Sequence, residues 1–341
     1  MSKILLRVAI WGGKKPSGNL FDGQKPNLSQ RVAELEDVVS KAREWLDAVE
    51  GTGGETLPVL KIFVAPEYLL VKSSTALEDE RAVSFDDFKL LQEEERLEKL
   101  SEGLLLIPGT VVWKKPALKD GGSEGGGSAP DRVEKLKEKS GRYEKRIKAY
   151  DENRSGSVTF VAKTEIESFE KKLGKLDKAD RSRAYIARNA AYVYYDGELL
   201  LKYYKQSEYR GKKTLELSSA DRALHPKEIK FIRGYREGLF KVELSTETVV
   251  RCGVEICADH PGQELKYSST DGPLNLHFIL SDQTANQKDS VAVGPGGYVV
   301  HASTSSDSSG LFNHALKKAE EAHMQDLKFG RLFCYTQLLE L

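Results

Sequence analysis

Three side chains of different chemistry each stand at the end of an apolar run of this sequence. Glu67 follows Ile62-Phe63-Val64-Ala65-Pro66, Lys205 ends the run Leu199 to Tyr204, and Cys257 follows Val249 to Ile256. A carboxylate can take and return protons, an ammonium can hold a developing oxyanion, and a thiolate can attack carbon. Together they make an acyl-transfer set. Each alone has a plainer reading: a solvated strand-end glutamate, a surface lysine, a buried structural cysteine. Strand alternation puts Val250, Cys252, Val254 and Ile256 on one face, and Arg251, Glu255 and Cys257 on the other. Cys252 therefore fits a structural role. Cys257 is expected in polar surroundings, before a turn at Ala258-Asp259-His260-Pro261-Gly262.

Other chemistries find less support. Gly12-Gly13-Lys14-Lys15 lacks the Gly-x4-Gly-Lys-Ser/Thr spacing that cradles phosphate. The histidines, His225, His260, His277, His301, His314 and His323, show no paired ligand spacing, and Cys252 and Cys257 are not a Cys-x2-Cys pair. No metal and no organic cofactor are expected. Lys+Arg and Asp+Glu are each 52, a formal net charge of zero that argues against a nucleic-acid partner. Three cysteines in 341 residues cannot build a disulfide framework. No run approaches the roughly 18 apolar residues of a spanning helix, and the first ten residues lack a signal-peptide pattern. A cytoplasmic protein without a membrane partner is expected.

The elements that must position the three residues alternate in type. Lys3 to Ile10 reads as a buried strand, and a helix capped by Ser29 carries Val32, Leu35, Val39, Ala42, Leu46 and Val49 on one face. Leu57 to Ala65 is a strand apolar on both faces, followed by a helix over Asp86–Glu102 and a strand over Leu104–Trp113. Strand, helix, strand, helix, strand argues for an α/β sheet. The pattern then breaks. Gly121 to Pro130 has linker composition, charged stretches follow, and residues 114–183 read as an insertion into a single domain spanning 1–341. Strands resume at Tyr185–Tyr195 and Glu198–Tyr204, joined by the hairpin signal Asp196-Gly197. Val249–Cys257 and Leu274–Ser281 follow. Ser290–Val293 is expected to pair with Tyr298–Ala302 through Gly294-Pro295-Gly296-Gly297. A helix over Gly310–Met324 precedes a last strand, Phe329–Gln337.

The runs KIFVAPE around Glu67, NAAYVYYDGELLLKYYK ending at Lys205 and GVEICAD around Cys257 resemble the nitrilase superfamily of carbon–nitrogen hydrolases, in order and in spacing. LNLHFILS and VAVGPGGYVVHAS resemble its later strands. The resemblance implies a four-layer αββα sandwich with Glu67 as base, Lys205 as oxyanion holder and Cys257 as nucleophile. Ammonia or an amine would leave as the thioester forms, and water activated by Glu67 would then release the acid. It also implies a second glutamate about eight residues after the lysine, where this chain has Lys213; Glu216 is the preferred equivalent and Glu208 the alternative. Asp259 after the nucleophile leans toward amide rather than nitrile chemistry, while Ala258 fits neither branch. A homodimer or larger homo-oligomer is implied by the same likeness.

Neighbourhood along the chain nominates Tyr68, Trp113, Ala258, His260, Ser281 and Gln283 as substrate contacts, although for His260 a hydrogen-bonded structural role is the preferred reading. A small-molecule amide or nitrile is the expected substrate. Two rivals share the fold: an acyltransferase using the same thioester, and a catalytically silent scaffold that holds a partner with its insertion.

Overall fold

The apolar run Lys3–Gly12 forms β1, near the middle of the larger of two sheets. The computed structural model describes residues 3–15, 20, 26–48, 57–71, 82–116, 185–207, 229–231, 234, 237–269 and 271–341. The expected insertion, from residue 117 on, lies outside them. On one side β1 pairs antiparallel with β15 (Arg331–Glu340), and on the other it pairs parallel with β2 (Val59–Val64). Next to β2 lies β4 (Leu105–Ile107), which continues past Pro108-Gly109 as β5 (Thr110–Pro116). Both run antiparallel along one edge of β6 (Tyr185–Tyr195), as a single bulged strand: Leu105 faces Tyr195 and Thr110 faces Ala191. The bulge needs its glycine. Gly109 has φ +81, and a Cβ there would lie 2.4 Å from the Pro66 carbonyl oxygen. The other edge of β6 carries β7 (Glu198–Tyr204), after a turn whose Asp196 and Gly197 both have positive φ, as the hairpin signal predicts. That edge also carries β8 (Ile229–Phe231), while the short β3 (Val83–Ser84) pairs with β5.

The second sheet runs β9 (Leu239–Ser245), β10 (Thr248–Ile256), β11 (Leu274–Ser281), β12 (Val293–Ser303), β13 (Gly310–Asn313). Its middle three strands are parallel, so their carboxyl ends gather at one side. Alternation then builds the core. Leu6, Val8, Ile62 and Val64 of the first sheet meet Cys252, Val254, Ile256, Phe278 and Leu280 of the second, all fully buried. Each such side chain contributes about 1.5–3 kcal/mol on removal from water.

Helices α1 (Leu28–Leu46), α2 (Phe85–Glu93) and α3 (Arg96–Leu100) cover the outer face of the first sheet. The cap of α1 is Asn27 in a reciprocal pair with Gln30, rather than Ser29. On the outer face of the second sheet the described residues place one short helix, α4 (Glu264–Ser268), against Ile279 and Val299. The described residues form a mixed α/β fold with two sheets and few helices. Among the described residues no helix is long and apolar enough to cross a membrane.

Three expected elements differ. The helix over Asp86–Glu102 breaks at Glu95, which takes φ +53 between α2 and α3. Gly310–Met324 is not helical: it forms β13, a turn and β14 (His323–Asp326), which pairs with β15. There the Asn313 side chain accepts from the Ala315 and Lys317 amides and Leu316 takes φ +60, so local side-chain bonds replace helical ones. The Gly-Pro-Gly-Gly run does not make a hairpin. Val293 and Tyr298 both pair with β11, opposite Leu274 and Leu276, and the residues between bulge out of one continuous strand.

Candidate active site

Glu67, Lys205 and Cys257 converge although they leave three strands of two sheets. Glu67 stands beyond the carboxyl end of β2 and is 1% exposed. Its Oε1 accepts from Lys205 Nζ at 2.9 Å and Asn189 Nδ2 at 2.9 Å, and its Oε2 accepts from the Asp282 amide at 3.1 Å. Lys205 follows β7 with no exposed surface; its amide donates to the Asn189 carbonyl and its own carbonyl accepts from Gly234. The ammonium is thus delivered by the backbone of the hairpin and held from both sides.

Cys257 follows β10, and here the alternation argument fails in an informative way. Glu255 does point away from the inter-sheet core, as expected. Cys257 instead takes φ +47, which turns its side chain back among the residues between the sheets. A non-glycine residue in that region costs on the order of 1 kcal/mol, a strain often found where a side chain must be presented. The thiol lies within hydrogen-bond reach of the Glu67 carboxylate, and its Sγ is 3.0 Å from Thr284 Oγ1. Burial pushes the thiol pKa up, the Glu67 charge adds to this, and Lys205 and Thr284 pull it down. The Glu67 carboxyl beside the thiol is placed to take its proton.

Asp259 ties the elbow to the lysine. Its Oδ1 accepts from the Gln206 and Ser207 amides, and its Oδ2 from the Tyr203 hydroxyl at 2.7 Å. Burial lifts its carboxyl to about 7, while Lys205 and these donors hold it down. Behind the elbow, on the outer face of the second sheet, Glu255 Oε1 meets His260 Nδ1 at 2.5 Å and His277 Nε2 at 2.7 Å. Burial opposes ionisation of Glu255, but His277 and His260 outweigh it and hold its carboxyl at about 2.

This Glu–His–His group is the one among the described residues with metal-ligand composition. Its separations are those of hydrogen bonds. The ring nitrogens turned away from Glu255 accept backbone N–H groups, His260 Nε2 from Gln287 and His277 Nδ1 from Ala292. The nitrogens facing Glu255 therefore carry protons and have no lone pair for a cation.

The substrate contacts nominated by the sequence are scattered. Ala258 is half-buried and its amide directly follows the nucleophile. Tyr68, half-buried at φ +62, packs beside Val71 and Val112. Gln283 is exposed on the loop after β11. Trp113 points to the helix-covered face of the first sheet, against Phe85 and Tyr204, away from the triad. His260 takes the preferred structural role, bonded to Glu255 and Gln287. Ser281 also faces outward, 2.7 Å from His301 Nε2. Glu216 and Glu208 lie outside the described residues. Sequence reasoning missed Asn189, Asp282 and Thr284 as neighbours of the triad. Asn189 had a signal, a lone amide on a face otherwise built from Ala191 and Val193. The other two sit on a loop, where no periodicity marks them.

No family model and no curated protein matches the chain. Solved structures do. Nit3 of Saccharomyces cerevisiae, a member of branch 10 of the nitrilase superfamily, is 12% identical with a TM-score of 0.47, over 98% of this chain and 90% of that one. A carbon–nitrogen hydrolase of Helicobacter pylori G27 is 9% identical, TM-score 0.48, over 98% and 88%. A nitrilase superfamily amidase of Nesterenkonia AN1 is 10% identical, TM-score 0.44, over 97% and 90%. At such identities the chemistry has to be read from this chain's own atoms. The solved structures that the chain is similar to include members of the nitrilase superfamily, the family its three motifs resemble.

Proposed function

We propose that this chain is a cysteine-dependent hydrolase of a non-peptide carbon–nitrogen bond, acting on a small amide in preference to a nitrile. One observation carries the reading: an acid, an ammonium and a thiol from three separate strand ends meet in one buried cluster, the acid bonded to the ammonium and within reach of the thiol. The chemistry follows from the geometry. Glu67 takes the Cys257 proton as sulfur attacks the substrate carbon. The carbonyl oxygen gains the charge and is met by Lys205 Nζ and the Ala258 amide. Glu67 then returns the proton to the departing nitrogen, leaving a thioester and releasing ammonia or an amine. Water enters, gives a proton to Glu67 and attacks the thioester; collapse expels the thiolate, which recovers the proton, and frees the acid.

A four-layer αββα sandwich, a single domain with an insertion at 114–183, a cytoplasmic setting and a homo-oligomer belong to the same proposal. An ammonia-release screen over ω-amides, carbamoyl compounds and nitriles tests it. The wild type is expected to turn over at least one amide, and Cys257→Ala to abolish that turnover. Full activity in Cys257→Ala would overturn the assignment.

A further inference from the structure

We propose that Thr284 is a further residue of this site, its hydroxyl donating a hydrogen bond to the Cys257 thiolate, and that Glu255, His260, His277 and His301 position the loop that carries it. The inference rests on Cys257 being the nucleophile.

The loop over residues 282–292 joins β11 to β12: it starts at the carboxyl ends of the parallel strands and returns over the outer face of the second sheet to the amino end of β12. Over residues 282–289 it has little apolar anchorage, since Gln283, Ala285, Gln287, Lys288 and Asp289 are exposed, and Val291 and Ala292 pack only at its end. Polar bonds hold it instead. At its start the Asp282 amide donates to Glu67, and Thr304 Oγ1 donates to Asp282 Oδ1 at 2.6 Å. In its middle His301 Nδ1 lies 2.8 Å from Asn286 Oδ1, and the Gln287 amide donates to His260 Nε2 at 3.0 Å. At its end the Ala292 amide donates to His277 Nδ1 at 3.4 Å. Thr284 sits between the first and second anchors.

These bonds fix the tautomers. A backbone amide can only donate, so His260 Nε2 and His277 Nδ1 must be bare. Each ring then carries its proton on the nitrogen facing Glu255, where one carboxylate oxygen accepts both. A single buried charge thus sets two imidazoles as acceptors for the loop. At the third, Ser281 Oγ donates to His301 Nε2, leaving Nδ1–H for Asn286.

Among the described residues, the groups that act on the thiol are Glu67, Lys205 and Thr284. Either atom could donate in the 3.0 Å contact between Thr284 Oγ1 and Sγ; a carboxylate accepts only, so with the S–H turned to Glu67 the Thr284 hydroxyl is left as the donor. When Glu67 takes the proton, sulfur becomes an anion and this bond gains charge-assisted strength. When the carbon–sulfur bond forms, the charge passes to the carbonyl oxygen and the bond weakens again. Thr284 therefore favours the attacking state.

The readout is the rate at which iodoacetamide alkylates Cys257 as a function of pH, followed by peptide mass spectrometry. Thr284→Val should raise the apparent thiol pKa by roughly one unit, the value of one hydrogen bond to a charged group, and Thr284→Ser should restore it. His260→Asn should move the profile in the same direction. Combined with Thr284→Val it should add nothing, because it acts through Thr284. If His260→Asn does not fold, Asn286→Ala removes a neighbouring anchor with the same expectation. A Thr284→Val profile that superimposes on the wild type, or additive effects in the double variant, overturns the proposal while leaving Cys257 as nucleophile. A wild-type Cys257 that resists alkylation at every pH, with ammonia release retained in Cys257→Ala, overturns both.

Discussion

Replacing Lys205 with Met would leave Glu67 a buried carboxylate without its countercharge. The two groups are 2.9 Å apart with no exposed side-chain surface on either. At an effective dielectric of about 20, unit charges at that separation attract by about 6 kcal/mol. Desolvating both ions offsets most of this, so the intact pair adds little net stability, whereas removing one partner costs about 3–5 kcal/mol. Asn189 Nδ2 and the Asp282 amide still donate to the carboxylate in the variant, which puts Lys205→Met near the lower end of that range. Glu67→Gln strands the ammonium and also turns an amide NH2 toward one of these donors. The double variant removes both charges, so it should cost several kcal/mol less than the sum of the singles. Urea unfolding measures all three, with unchanged m-values required for the comparison. Additive costs, or a Lys205→Met penalty below about 1 kcal/mol, would refute the buried-pair reasoning. Turnover is a separate readout: loss of the oxyanion donor should lower kcat by about 10²–10³.

Two further outcomes follow from the same geometry. Cys257 sits at φ +47, so Cys257→Gly should be at least as stable as Cys257→Ala, reversing the usual penalty of about 0.5–1 kcal/mol for glycine; a normal glycine penalty in urea unfolding would count against the strained elbow. The pH dependence has opposing parts. Burial lowers His301 to about 3, so its stability contribution is lost as pH falls from 6.5 toward 3, and that of Glu255, held at about 2, is lost from 4.5 toward 2. Asp259, raised to about 7, works the other way: its contribution is present below 3.8 and lost as pH rises through 7. Asp259→Asn should therefore steepen the loss of stability between pH 7 and 4, and a flatter profile would contradict the assignment.

The sequence made the frame legible where one residue type dictates one local conformation. Asp196-Gly197 placed the hairpin of β6 and β7 to the residue, because both positions accept positive φ. The apolar runs ending at Glu67 and Lys205 marked strands whose ends carry polar groups. Legibility failed where long-range pairing competes with local pattern. The stretch after Gly310 has helical composition, but pairing with β12 and β15 and the Asn313 bonds hold it extended. Gly294–Gly297 looks like a turn, yet parallel pairing on both sides keeps the chain in one strand.

What the sequence determined by itself is the set of reacting groups: a carboxylate, an ammonium and a thiol at three strand ends. Only the tertiary structure decided how they face. Period-two alternation sends Cys257 outward with Glu255, and one backbone angle returns it to Glu67 and Lys205 between the sheets. Trp113, close to the strand ends along the chain, faces the helices because its register opposite Arg188 puts it on the other side of the sheet from Asn189. Asn189, Asp282 and Thr284 join the triad across 122, 215 and 27 residues of chain. No local pattern encodes such contacts, since they exist only once two sheets have stacked and a loop has been pinned across their ends.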